Sequence, residues 1–228
     1  MLISVFTILA LIISAIFHEY AHGYVAYKLG DSTAKDAGRL TLNPIAHIDP
    51  IGSVLLPLLL VLSGSSFIVG WAKPVPYNPY NLRDPKYGDL KVALGGPGTN
   101  LFLAAFFGIL ARLVPLAYDY KQSLAMAFFS GNNSLLMSQL QGSFLTSIFV
   151  LSIIVCFINL LLMIFNLIPL PPLDGSKIIL PFLPYNAQMR FHQLEGYGMI
   201  IIFLLLYLGL FSLLSPILTF LFSLLVGI

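Results

Sequence analysis

The chain has 228 residues, of which 58% are hydrophobic and only 9% charged, with a mean hydropathy of +0.94 and a net charge of +2. A soluble domain carries about one charged residue in four, so this composition belongs in lipid and excludes an ordinary soluble fold. The few cations form no basic run and no stacking aromatic array accompanies them, which excludes nucleic acid as a partner, and a single cysteine, Cys156, excludes an internal disulfide.

A stretch of about 20 apolar residues can cross a hydrocarbon layer roughly 30 Å thick. Leu2 to Leu29 is the first such stretch. It reads as a retained helix rather than a cleaved leader, because no basic residue precedes it and the apolar pattern continues past His18 and His22. Gly30 to Pro50 is polar and turn-rich, with one short strand expected over Arg39 to Leu42. Ile51 to Leu62 is too short to cross and holds Pro57, so it is expected to enter the membrane and return. The next polar stretch sets Trp71, Tyr77, Tyr80 and Tyr87 among prolines, as at a membrane interface. Lys91 to Tyr118 is the second crossing, Phe144 to Ile168 the third and Tyr197 to Ile228 the fourth. The last would span roughly 48 Å as one straight helix, and Pro216 predicts a kink in it. The expected architecture is an all-α polytopic membrane protein: about four full transmembrane helices, a short re-entrant segment and small interfacial β-strands, in a single domain over 1–228.

Positive charge sets the expected topology. With the short run re-entrant, one side of the membrane collects Lys28, Lys35, Arg39, Lys73, Arg83, Lys86, Lys91, Lys177 and Arg190, and only Arg112 and Lys121 lie near the other. Cytoplasmic loops are the ones enriched in Lys and Arg. This reading puts the three loops around 28–50, 67–92 and 168–196 in the cytoplasm of a multi-pass protein of the plasma membrane.

The chemistry begins at His18-Glu19-Tyr20-Ala21-His22. Residues four apart share a helix face, so both imidazoles can reach one ion while Glu19 stands beside its water. Such groups are costly in a membrane helix and are functional by default. A catalytic zinc site takes three protein ligands, and the third candidates are His47, His192 and an acidic group. Asp174 is the strongest, because it lies in the proline-rich turn LIPLPPLDGS on the same expected side as the end of the first helix; alone, it also reads as a turn aspartate before Gly175. His47 and His192 read as loop hydrogen-bonders, Asn159 as an interhelical hydrogen-bonder, Cys156 as a packed small residue, and Gly95, Gly96 and Gly98 as sites of close helix packing. Asn100 follows a Gly-Pro-Gly turn, so a helix cap and an active-site role are both open.

HEYAH in the first helix, GGPGTN at 95–100 and NLIPLPPLDG at 166–175 together resemble the three signature segments of the site-2 protease family of intramembrane zinc metalloproteases. The likeness runs from about Phe17 to Gly175. It implies that Zn²⁺ is held by His18, His22 and Asp174, that Glu19 is the general base, and that Asn166 and Asn100 lie at the substrate. It also implies that an extended segment, Gly38 to Leu42 or Phe67 to Pro76, engages the substrate as an added strand. Compact prokaryotic members, without PDZ or CBS domains, are the most similar. The implied partners are transmembrane protein substrates and the lipid bilayer, with a homo-oligomer left open. Two rival classes, a zinc-transit membrane protein and an inactive client-binding scaffold, fit less well: the first needs acidic groups along a path through several helices, and the second has no use for Glu19.

Overall fold

The computed structural model describes residues 2–55, 59, 62, 72–140 and 143–228. Three helices are long and apolar enough to cross a membrane: α1 (Leu2–Lys28), α3 (Gly88–Leu113) and α6 (Phe144–Asn166). A short helix α2 (Thr33–Asp36) follows the first of them, and α4 (Tyr118–Phe129) and α5 (Asn133–Leu140) join the other two. After α6 come α7 (Asp174–Ile179), α8 (Tyr185–Glu195), α9 (Gly198–Tyr207) and α10 (Leu210–Val226). The pair α9 and α10 makes a fourth candidate span, bent by 78° at its break. The chain is a helical, multi-pass membrane protein.

α6 is the central helix. Phe149, Val150, Ile153, Ile154, Cys156 and Leu160 on it are all fully buried. They pack on Ala104 and Ala111 of α3, Ala10 of α1 and Phe222 of α10. Lipid tails are as apolar as these side chains, so helix association in a membrane relies on close approach through small residues. The face of α3 formed by Ala104, Gly108 and Ala111 supplies that approach, and the expected packing role of Cys156 fits its place there. The outer faces stay apolar and open: Leu9 is 51% exposed, Ile12 44% and Ile13 51%, as lipid-facing side chains are.

Three sequence expectations change. The last crossing bends at Gly209, whose φ of +93° favours a residue without Cβ, and α10 continues through Pro216. Proline lacks one N–H, but neighbouring helices tolerate it at membrane depth. The Gly-Pro-Gly segment is not a turn, because α3 begins at Gly88 and contains Pro97, so Asn100 stands inside the helix and is no cap. Among the described residues Arg39 to Leu42 forms no strand. Its natural partner, the extended strap 72–78, holds Pro74 and Pro76, which cannot donate to a ladder. The Arg39 guanidinium bonds the Lys73 carbonyl instead, at 2.9 Å. Most of the expected re-entrant run lies outside the described residues; Pro50–Leu55 is a short π-helical segment.

The strap is tied at both ends. Lys73 N donates to His47 O at 2.9 Å, and Asn78 N donates to the buried Asp31 carboxylate at 2.8 Å. Asp31 also accepts from Thr33 Oγ1 at 2.5 Å and from Asn81 Nδ2 at 2.8 Å. Burial alone would push the Asp31 carboxyl up, but these donors outweigh it and hold it below the usual carboxylate range. An ionised carboxylate so satisfied anchors the strap across the end of α1.

Candidate active site

Helical periodicity puts His18 and His22 one turn apart on one face of α1. Both are buried, and their Nε2 atoms are 3.0 Å apart. The third group arrives from the other end of the chain. Proline cannot continue α6, so 167–173 folds into turns, with Leu170 N on Ile168 O at 2.8 Å and Leu173 N on Leu170 O at 2.9 Å. Ser176 Oγ then closes on Leu173 O at 2.7 Å, and α7 starts with Asp174 facing the histidines. Asp174 Oδ2 is 3.2 Å from each Nε2.

The protons on these rings can be deduced. His22 Nδ1 is 2.7 Å from the Val92 carbonyl, which can only accept, so Nδ1 carries the hydrogen and the neutral ring presents a bare Nε2. His18 is settled by a longer chain of bonds. Asn159 Nδ2 donates to Val155 O at 2.9 Å, again a carbonyl, and to Ser14 Oγ at 2.9 Å, so Asn159 turns its Oδ1 to Asn100. Asn100 must then offer its Nδ2, at 2.9 Å, and its own Oδ1 accepts from His18 Nδ1 at 2.6 Å. His18 therefore also points an unprotonated Nε2 at the carboxylate. The relay crosses α6, α3 and α1 and is fully buried at both asparagines.

With both rings neutral, two bare imidazole nitrogens and a carboxylate oxygen converge with no proton between them. Asp174 Oδ2 is a buried atom without a hydrogen-bond donor among the described residues. Only a cation can sit among three such acceptors at low cost. Tetrahedral zinc with ligands at about 2.0–2.1 Å separates them by roughly 3.3 Å, close to the separations of 3.0, 3.2 and 3.2 Å here. The three residues form a group able to hold a metal ion, and the donor set of two imidazoles and one carboxylate suits zinc.

The surrounding cleft has a volume of about 140 Å³ and is lined by His18, Glu19, His22, Asn166, Asp174 and Lys177, among others. A larger cavity of about 360 Å³, between α4 and α5, is lined by no histidine, cysteine or acidic residue and offers no comparable chemistry. Glu19 is half-buried, and its Oε2 accepts the Val75 amide of the strap at 2.9 Å. Asn166 donates to Leu162 O of its own helix at 2.9 Å while lining the cleft. His47 Nε2 bonds Thr41 O at 2.7 Å and His192 lies exposed beside Glu195, so neither joins the group.

The profile of peptidase family M50 matches residues 6–209, a span that contains every candidate residue. The chain belongs to peptidase family M50, the site-2 proteases. A Bacillus subtilis (strain 168) protein with the provisional name zinc metalloprotease YwhC is 38% identical over 200 residues, covering 88% of this chain and 79% of its own. Proteins provisionally named zinc metalloprotease Rip2 are 27% identical in Mycolicibacterium smegmatis, covering 86% of this chain and 64% of their own, and 24% identical in Mycobacterium tuberculosis, covering 85% and 63%. No solved structure matches. Membership makes this chain a zinc metalloprotease of the site-2 type, and the membrane-crossing helices agree with the membrane setting of that family.

Sequence reading gave Asn159 an interhelical hydrogen bond, which it makes to Asn100 and Ser14, but not its place behind His18, and it missed the Val92 carbonyl and the Val75 amide. A buried amide in the middle of α6 was the available signal for Asn159; the two backbone groups left none. Asn159→Leu should weaken zinc binding about 10–100-fold by leaving Asn100 free to turn over, measured by chelator competition. An unchanged affinity would mean that the His18 tautomer does not depend on the relay.

Proposed function

We propose that this M50 enzyme hydrolyses peptide bonds of transmembrane proteins inside the membrane, with His18, His22 and Asp174 as zinc ligands and Glu19 as general base. The observation that carries the reading is the convergence of two imidazole nitrogens and a carboxylate oxygen, within 4.8 Å of one another, beside Glu19 in a cleft between apolar helices. Zinc bound there would supply the Lewis acidity that makes water nucleophilic near neutral pH.

The chain's own residues do the rest. Val92 O and Asn100 Oδ1 hold the two imidazoles in the ligating tautomer. Glu19 Oε2 is held by the Val75 amide, which leaves its other oxygen to take a proton from the attacking water and return it to the leaving amine. Asn166, at the rim of the cleft, orients the scissile carbonyl, and Asn100 serves the substrate through the histidine it orients. The substrate helix must open locally, since its carbonyls are otherwise shielded in helical hydrogen bonds. The positive charge of the loops supports a plasma-membrane protein whose cleft faces the cytoplasm, with 1–228 acting as one domain.

Glu19→Gln tests the base. The amide keeps the shape and can still accept from Val75, so zinc should stay bound while cleavage of a membrane-embedded substrate falls by about 10²–10⁴-fold. A variant that cleaves at the parent rate would rule out the mechanism.

A further inference from the structure

Two of the proposed groups, Glu19 on α1 and Asp174 on α7, act on the same reacting centre yet belong to different elements. The six residues of α7 are too few to form a stable helix alone, and its fully buried side chains are confined to small Gly175 and Ser176. Something outside the helix must therefore set its rotation, on which the direction of the Asp174 carboxylate depends.

The strap supplies a contact of that kind. Tyr77 donates its phenol hydrogen to the Asp89 carboxylate, in the first turn of α3. The same oxygen accepts from Lys177 Nζ at 3.0 Å, and the ammonium also lies 4.8 Å from the centroid of the Tyr77 ring. Lys177 is one helical turn beyond Asp174, on the same side of α7. The direction of the link is forced, because an ammonium cannot accept and an ionised carboxylate cannot donate; only a group with one donor and a free lone pair fits between them. Burial, with the Asp89 carboxylate beside it, pushes the Tyr77 phenol far above its usual range, so it keeps its hydrogen. Two residues earlier in the same strap is Val75, whose amide holds Glu19.

We infer that Tyr77 is a positioning residue of the zinc site: through Lys177 and Asp89 it fixes the rotation of α7, and with it Asp174, against the strap that orients Glu19. The inference rests on the proposed role of Asp174 as a ligand. One short extended segment then keeps the base and the third ligand in register.

The test uses the full chain in detergent, with zinc alone as the probe. Tyr77→Phe and Lys177→Met should each weaken zinc about 10–100-fold, as loss of a partner behind a ligand does, and Lys177→Arg should recover most of the affinity. The double variant should bind no worse than the weaker single one, because both substitutions break one link. The Co²⁺-loaded variants should show a shifted d–d absorption, which a loss of general stability would leave in place. Parent-like affinity in both single variants, or losses that multiply in the double, would overturn the inference. If Tyr77→Phe does not fold, the contrast between Lys177→Met and Lys177→Arg decides: equal affinities reject the link. A parent protein that binds no zinc would instead refute the ligand assignment.

Discussion

Asp174→Ala is expected to purify without stoichiometric zinc, while the parent protein carries one ion per chain. The carboxylate is the only charged member of the ligand group, and its Oδ2 stands 3.2 Å from both imidazole nitrogens. Without it, two neutral rings remain, with Nδ1 hydrogens already given to Val92 O and Asn100 Oδ1. Two neutral nitrogens in a buried pocket cannot offset the cost of bringing a divalent cation out of water. The loss should exceed the 10–100-fold that follows from disturbing a ligand's supporting partner. Metal analysis of the two proteins side by side gives the answer, and an alanine variant holding one zinc per chain would remove Asp174 from the site.

Gly96→Ala should abolish zinc binding almost as completely, although helix propensity alone predicts that it stabilises α3 by about 1 kcal/mol. A Cβ at this position would lie 2.4 Å from His22 Nε2, 2.5 Å from His18 Cε1 and 2.6 Å from His18 Nε2, where ordinary carbon contacts need more than 3.4 Å. Neither side can yield freely. The rings are held by their Nδ1 bonds, and α3 already touches α1 at Gly95, where a Cβ would meet Ala21 O at 3.1 Å. The rings must turn away from Asp174, and the ligand group opens. Gly98, two residues on, has nothing within 4 Å of an added Cβ, so Gly98→Ala is the matched control and should keep its zinc. The measurement is zinc content together with the thermal midpoint of each variant; full zinc in Gly96→Ala would show that the backbone of α3 is not a wall of the site.

The two glycines illustrate how much of the site could be read in advance. GGPGTN announces close packing, but its letters do not say that Gly96 faces the imidazoles while Gly98 faces open space. That difference is the rotation of α3 about its axis, fixed by the packing of Ala104, Gly108 and Ala111 on neighbouring helices. Asn100 shows the same dependence. Read from its neighbours it follows a Gly-Pro-Gly turn, yet α3 runs through Pro97 and carries Asn100 between His18 and Asn159. The strap is a further case: its prolines and tyrosines are those of an interfacial loop, and only the fold turns the Val75 amide to Glu19 and the Tyr77 phenol to Lys177.

What could be known from the amino acids alone was whatever depends on near neighbours and composition: a lipid setting, three of the crossings within a few residues, and the His18–Glu19–His22 turn, where a 3.6-residue period makes two imidazoles adjacent. Asp174 was within reach through the proline-rich turn that carries it, the loop charge that set it on the expected side of the histidine turn, and the likeness of its segment to the last signature of the family. The tautomer relay, the glycine wall, the clamp at Tyr77 and the bend at Gly209 needed the folded chain. Each depends on how helices distant in sequence are rotated and pressed together, and that is set by the summed packing of many small contacts, which no local stretch of sequence records.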